Sequence, residues 1–325
     1  MTRVLVTGAS GFVGKPLCRD LVRAGFRVSA ATRNPRRVDD LHGVEVRPVA
    51  GLGAGTDWSG ALRGVDMVVH LAARVHVMKD ESDDPLAAFR RVNAQGTAKL
   101  AVDAAAAGVR RLVMLSTIKV NGEKTEERGF TGADAVAPED PYAKSKFEAE
   151  RALFGVAGAS DLQAVVIRPP LVYGPEVRGN FLSLLGLCRK APPLPLASIR
   201  NGRSLIYVEN LVSAILACLK TPAAAGGIYV VRDGEDLSTP ELIRRLSAAM
   251  GRPDRLWPCP PALLRAAGAM TGRAATVARL LDSLRVDDRQ IRQELDWAPP
   301  HTVDQGVAAT AEWYVERFRA DPEES

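Results

Sequence analysis

The sequence predicts an α/β fold, a doubly wound parallel sheet with a smaller C-terminal part. Three observations carry that expectation. Short β-branched runs alternate with helical patterns through the first half of the chain, the order produced by βαβ units. The first run, Arg3 to Thr7, ends in Gly8-Ala9-Ser10-Gly11-Phe12-Val13-Gly14, and an amphipathic stretch follows to about Gly25. After about Gly174, prolines crowd at 192, 193 and 195 and strand patterns become sparse. Residues 1–174 are therefore expected to form a Rossmann-type dinucleotide-binding domain, with 204–232 returning to it. Residues 175–325 are expected to form mainly a substrate-binding domain.

The opening strand, Gly-rich turn and helix form the setting that a pyrophosphate needs. Glycines let the backbone approach closely, and free N–H groups at the helix start attract the anion. Gly8, Ser10, Gly11, Phe12, Val13 and Gly14 are the candidate contacts, spaced Gly-x-x-Gly-x-x-Gly. The second strand, Arg27 to Ala31, lacks the acidic residue that binds the ribose of NAD and runs instead into Thr32-Arg33. Arg33 can stack on adenine and pair with a 2′-phosphate, which favours NADP(H) and leaves NAD(H) open.

Val44 to Val49 reads as the third strand and Thr56 to Gly64 as a short helix. Asp66 to Ala73 is the fourth strand with its exit loop. His70, inside an apolar run, reads as a core histidine. Leu71, Ala72 and Ala73 are small or apolar at a strand's C-terminal end and leave room for a nicotinamide. His76 and Lys79 follow in a loop, where a surface position is the simpler reading and a substrate contact the alternative. A helix is expected from Pro85 to about Ala107. It contains Asn93, Gly96 and Thr97, although Gly costs about 1 kcal/mol against Ala in a helix; close packing or a polar contact is the expected reason. Arg111 to Leu115 delivers Ser116-Thr117 to the ligand side of the sheet.

Residues 121–140 are a polar loop long enough to be functional. Asp140 is placed to cap the next helix and Pro141 suits its first position. Tyr142 and Lys146 then share one face, one turn apart. A phenol titrates at about 10 in water and a nearby ammonium lowers that value, so the pair suits general acid/base work. Leu162 to Ile167 is another buried strand, followed by Arg168-Pro169-Pro170. Pro169, with no N–H and a fixed φ, is expected to present a rigid edge to the nicotinamide. Beyond it, Gly179-Asn180-Phe181 opens a helix, Arg203 to Val208 and Gly227 to Val231 read as strands, and Asn210 to Leu219 as a helix. Helical patterns cover Thr239 to Gly251 and Pro261 to Leu281.

Composition narrows the partners. The chain has 325 residues, 46% hydrophobic and 25% charged, with a net charge of +5, which suits anionic small molecules. No long Lys/Arg run is interleaved with aromatics, which make up only 5%, so nucleic acid is not expected. Cys18, Cys188, Cys218 and Cys259 are far apart with no Cys-x-x-Cys. Reduced thiols, a cytoplasmic setting and no metal site follow as expectations. The N-terminus runs straight into a strand without a signal segment, and no apolar run reaches spanning length, so membrane insertion is not expected.

With these motifs placed, the chain resembles the extended short-chain dehydrogenase/reductases, the NAD-dependent epimerase/dehydratase family, over essentially its whole length. The resemblance rests on residues 7–14, His70-Leu71-Ala72-Ala73, Asn93-Ala94-Gln95-Gly96-Thr97, Tyr142 with Lys146, Arg168-Pro169-Pro170 with Tyr173-Gly174-Pro175, and Arg203 ahead of Tyr207-Val208. Residues 116–123 and 179–181 are similar to bacterial members labelled UDP-glucose 4-epimerase-like, some of which are thought to reduce UDP-4-keto-sugars for surface polysaccharide. The resemblance implies Thr117 as the catalytic hydroxyl, Tyr142 as acid/base and Lys146 as the cofactor-ribose anchor. It adds Leu52 and Asn93 to the cofactor side and Lys119, Asn180, Phe181 and Arg203 to the substrate side.

There are departures. Family dehydratases carry Asp-Glu after the Thr, where this chain has Ile118-Lys119, so 4,6-dehydration lacks its acid and base. Epimerases usually show Val-Tyr-Gly where Val120-Asn121-Gly122 stands. Gly51 replaces an acid on the adenine side. The implied function is hydride transfer at C4 of a nucleotide-diphosphate sugar. Reduction of a UDP-4-keto-hexose with NADPH is favoured, ahead of UDP-glucose 4-epimerisation. A non-catalytic NAD(P)-sensing or scaffold protein and a reductase of a non-sugar ketone stand as alternatives. A homodimer pairing helices 86–107 and 142–157 is expected.

Overall fold

The computed structural model of the chain describes residues 1–75 and 84–319; His76 and Lys79 lie outside them. Strand β1 (Arg3–Thr7) leads through the Gly-rich turn into helix α1 (Gly14–Arg23), then β2 (Arg27–Thr32) and β3 (Val44–Pro48). After the short α2 (Ser59–Leu62) comes β4 (Met67–His70). Helix α3 (Pro85–Phe89), a π-helical turn over Arg90–Ala94 and α4 (Gln95–Ala106) then lead to β5 (Arg111–Leu115). Helix α5 (Pro141–Gly158) and β6 (Gln163–Arg168) complete the first half.

Seven parallel strands form the main sheet. Its order is β3-β2-β1-β4-β5-β6, closed by β9 (Ile228–Val230) at the far edge. The winding reverses between β1 and β4, which opens a ligand crevice at their C-terminal ends. Both faces of such a sheet must be covered, so its strands are apolar on both sides. In β1, Val4 and Val6 enter one core and Leu5 the other, all fully buried, as a period of two requires. One face packs on α1, on α7 (Val208–Lys220) through Leu211 and Ile215, and on α11 (Arg289–Leu295) through Ile291 and Leu295. The other packs on α2, α4 and α5.

A second sheet of three strands joins β7 (Leu171–Tyr173), β8 (Arg203–Tyr207) and β10 (Asp236–Leu237). It shares a core with α6 (Asn180–Lys190), α8 (Thr239–Ala249) and α12 (Val303–Arg319). Of the stretch 204–232 expected to return to the main sheet, α7 and β9 do so. Strand β8 instead pairs with β7, in parallel, outside that sheet. The pattern over Pro261 to Leu281 divides into α9 (Pro261–Met270) and α10 (Ala274–Leu281), because Gly272 between them adopts φ +67° and ends the first helix.

The helix expected from Pro85 to Ala107 is interrupted by the π-helical turn. The extra residue in that turn rotates Asn93 towards the sheet, where it is buried. Gly96 faces the Leu52 side chain, with room for no methyl group: a Cβ there would lie 2.7 Å from Leu52 Cγ. Thr97 hydroxyl meets His70 Nε2 at 2.9 Å. Close packing and a polar contact together explain why this helix tolerates Asn, Gly and Thr.

The Gly-rich turn is sterically closed. A Cβ on Gly14 would stand 2.1 Å from Gly8 O, and one on Gly8, at φ +73°, 2.8 Å from Ala72 N. Gly14→Ala is expected to cost about 3 kcal/mol through overpacking against backbone, read as a lower Tm together with lost cofactor binding. Gly60→Ala, where a methyl meets open space, is the control and should leave both unchanged or slightly improve Tm.

Candidate active site

The exits of β1, β4, β5 and β6 converge at one edge of the sheet. At the first, helix α1 starts with no side-chain cap and no acid in its first turn. Lys15 N is bonded to Gly11 O at 3.1 Å and Pro16 carries no N–H, which leaves Gly14 N at the helix start towards an anion. Thr7 organises the neighbouring exit: its hydroxyl meets His70 Nδ1 at 2.7 Å and accepts from Ala72 N at 3.1 Å. His70, bonded through both ring nitrogens, is pulled down to about 3 by burial and by the Lys146 charge, so it stays neutral and serves the core. It fixes Leu71-Ala72-Ala73 beside the crevice and is not a catalyst.

A cavity of about 360 Å³ lies at the end of β2, lined by Ser10, Thr32, Arg33, Asn34 and Arg37. It joins the Gly-rich turn to the basic loop. The loop is rigid there, since Asn34 Oδ1 accepts from Arg36 N and Thr32 hydroxyl bonds to the Asn34 backbone. A close-packed turn, an open helix start and a basic cavity at the adenosine end fit a dinucleotide.

At the β5 exit, Thr117 is extended and its hydroxyl accepts from Lys119 N at 3.3 Å, which leaves its own proton to donate. Ser116 beside it is committed to Glu150 and is structural. Asp140 caps α5 by accepting from Ala143 N at 2.6 Å. Lys119 Nζ bonds to Asp140 Oδ2 at 2.7 Å and to Glu123 Oε1 at 2.8 Å. That bridge ties the Thr117 loop to the start of α5, with Thr117 and Tyr142 each two residues from a bridging residue. Lys119, expected to face substrate, is thus held between two carboxylates.

Tyr142 is half-buried and packs edge-on against Phe89, ring centroids 6.0 Å apart. Burial, and then the neighbouring Asp140 charge, push its phenol well above the usual range. The lowering expected from the Lys146 ammonium is not found in the chain by itself. Lys146 is buried, and burial pulls its ammonium down to about 8, opposed by Glu150 one turn further on. Glu150 pairs with Arg168 at 2.6 Å, both side chains nearly inaccessible. Arg168 also donates to Asn121 Oδ1 at 3.1 Å. This network was not foreseen as a unit, although Glu150 stands four residues after Lys146 and Arg168 heads the Arg-Pro-Pro motif. It gives the Val-Asn-Gly departure a physical reason, because Asn121 anchors the loop to Arg168.

Asn93, expected on the cofactor side, donates to Ser145 Oγ at 2.9 Å and to Arg74 O at 3.0 Å. It therefore holds the β4 exit against α5. Pro169 is buried and its O accepts from Ile118 N at 2.9 Å, so the carbonyl clamps the Thr117 loop. Phe181, expected at the substrate, is 2% exposed and stacks on Tyr173 at 5.3 Å. It is a core residue that seats the exposed Asn180 at the start of α6. Arg203 donates to the carbonyls of Arg279 at 3.0 Å and Asp282 at 3.2 Å. Among the described residues no carboxylate lies within ion-pair distance of it, so two carbonyl dipoles aim a cation without cancelling its charge. Leu52 packs on Gly96 and borders the β3 exit.

Two measurements probe this site. Between pH 8 and the ordinary lysine value of 10.5, the unfolded chain binds more protons than the folded one at position 146. Position 146 therefore contributes stability that rises with pH across that window, by up to about 1.4 kcal/mol per unit, against the opposite slope of the Cys18 and Cys218 thiols, which burial pushes up to about 12. In denaturant melts of cofactor-free protein at the two ends of the window, Lys146→Met should lose that contribution, so that its stability falls with pH relative to the unsubstituted protein. Arg168→Met strands a buried carboxylate and should cost about 3–5 kcal/mol, much of it recovered by adding Glu150→Gln.

Residues 4–231 match the NAD dependent epimerase/dehydratase family. A protein of Vibrio cholerae named UDP-glucose 4-epimerase is 40% identical, covering 96% of this chain and 95% of its own. One of Streptomyces griseus named dTDP-glucose 4,6-dehydratase is 31% identical, covering 96% and 94%. Among solved structures, the UDP-glucuronic acid 4-epimerase of Bacillus cereus in complex with NAD superposes with a TM-score of 0.78 at 19% identity, covering 98% of this chain and all of that one. At that identity the likeness speaks for the fold.

Proposed function

Given that the chain belongs to the NAD-dependent epimerase/dehydratase family, we propose that it moves hydride at C4 of a nucleotide-diphosphate sugar. The observation that carries this reading is the Lys119–Asp140 bridge. It staples the strand exit bearing Thr117 to the helix start bearing Tyr142, which supports the reading that both hydroxyls act on one oxygen. A bound nicotinamide supplies or takes the hydride. Tyr142 gives or takes the proton of the C4 oxygen, Thr117 orients that oxygen by donating a hydrogen bond, and Lys146 holds the cofactor ribose. Gly8, Ser10, Gly11, Phe12, Val13 and Gly14 would carry the pyrophosphate, and Arg203 with Asn180 the diphosphate and sugar of the substrate.

Reduction of a 4-keto-hexose has one support: Arg33 and Arg37 at the adenosine cavity suit the 2′-phosphate of NADPH. UDP-glucose 4-epimerisation has one, the name of the relative at 40% identity. 4,6-Dehydration has neither its acid nor its base, since Ile118 and Lys119 stand where the family's dehydratases carry Asp-Glu.

The discriminating measurement is stoichiometry. Reduction predicts one NADPH oxidised per UDP-4-keto-6-deoxy-N-acetylhexosamine. Interconversion of UDP-glucose and UDP-galactose without added cofactor would establish the epimerase instead. Tyr142→Phe should lower kcat by about 10²–10⁴-fold, the usual contribution of a positioned proton donor, with cofactor affinity retained. An undiminished rate in that variant would refute the assignment.

A further inference from the structure

We infer that the α9–α10 hairpin is a docking surface for an anionic lipid bilayer, on which it lies without crossing. Helix α9 has two unlike faces. Leu264 and Gly268 face inward: Leu264 joins the C-terminal core, and a Cβ on Gly268 would meet Val277 of α10 at 2.6 Å. The opposite stripe, Leu263, Ala266, Ala267 and Met270, repeats at helical spacing and faces solvent. Leu263 is 61% exposed and Met270 83%, with Trp257 just upstream at 48%. The backbone under Trp257 is rigid, pinned to Leu194 and Ala197 by two hydrogen bonds, so the indole projects from a fixed platform.

Charge selects the occupant. From residue 255 to 281 the sequence holds four arginines, Arg255, Arg265, Arg273 and Arg279, and no acidic residue. All four are exposed, and among the described residues only Arg265 has an ion-pair partner, Asp282. An apolar stripe with a tryptophan and unpaired arginines suits the headgroup boundary of a bilayer, where arginine stems snorkel and the indole sits at the interface. A second copy suits it poorly, because a two-fold contact through this face would set arginines against arginines. No described helix is long and apolar enough to cross a membrane, which matches a surface that lies on lipid.

The test is co-sedimentation of the full chain with vesicles of equimolar phosphatidylglycerol and phosphatidylcholine, and with phosphatidylcholine alone. Binding should be at least about tenfold tighter to the anionic vesicles and should weaken in molar salt. Trp257 emission should shift to the blue on binding, and a Trp257→Phe variant should lose that shift. Leu263→Glu with Met270→Glu should cut binding at least about tenfold with unchanged Tm and cofactor affinity. Arg273→Glu with Arg279→Glu should abolish the preference for anionic lipid. Equal binding to both vesicle types, or anionic binding unaffected by the Leu263 and Met270 changes, would overturn the inference. So would sedimentation velocity showing that those changes dissolve a dimer while no vesicle is bound.

Discussion

One carboxylate and one guanidinium, both nearly out of reach of water, hold helix α5 to the exits of β5 and β6. Glu150 reaches across from α5 to the hydroxyl of Ser116 at the end of β5 and to Arg168 at the end of β6. Arg168 continues the chain of bonds to Asn121 and to Gly132 O. Burying two charges costs several kcal/mol each, and the cost is offset only when the remaining donors and acceptors are filled. Here both carboxylate oxygens accept, and Arg168 donates to three different partners. What such a pair contributes is position rather than net stability. The same carboxylate lies one turn from Lys146 and supports its charge against burial. The group that fixes the geometry therefore also keeps the neighbouring amine basic.

A second tier of charge sits at the start of α5. Asp140 has one oxygen on the helix cap and the other on Lys119. An unpaired Asp140 would press harder on the phenol two residues away, since a negative neighbour disfavours phenolate. The ammonium of Lys119 moderates that pressure while it ties the two loops together. A carboxylate at position 119 would face Asp140 and Glu123 as a third like charge. The local electrostatics that suit a lysine there exclude the acid a dehydratase needs, so the choice at one position bears on both structure and reaction type.

How much of this was legible in the sequence depended on how local each device is. The Gly-rich turn, the Asp140 cap, the Pro141 start and the Tyr142/Lys146 spacing are interactions within a few residues, and each was readable from the chain alone. The core role of His70 was readable because an apolar run surrounds it. Lys119 meets Asp140 21 residues on, Asn93 meets Ser145 52 residues on, and Arg168 meets Glu150 18 residues back, and no periodicity reports such pairs. The resemblance of residues 179–181 implies a substrate role for Phe181; its burial against Tyr173, a neighbour in space, has no local signal. The pairing of β8 with β7 was hidden for a similar reason, since a three-residue strand such as β7 leaves almost no pattern.

Residues 279–288 form one continuous segment that ties the C-terminal part to the loop after β5 and to the edge of the sheet. Carbonyls of residues 279 and 282 hold Arg203, and Leu284 exchanges backbone hydrogen bonds with Gly202 and Ser204. Ser283 and Arg285 then pair with Thr125 and Phe130 of the long loop after β5. Asp288, buried, receives Arg232 and Arg292 next to the edge strand β9. Arg203, the loop beyond Thr117 and the far edge of the sheet are thus linked through ten residues of backbone. Displacement of Arg203 would strain the same segment that pairs with the 121–140 loop, so parts of the chain that lie far apart in sequence are registered against one another through one run of hydrogen bonds.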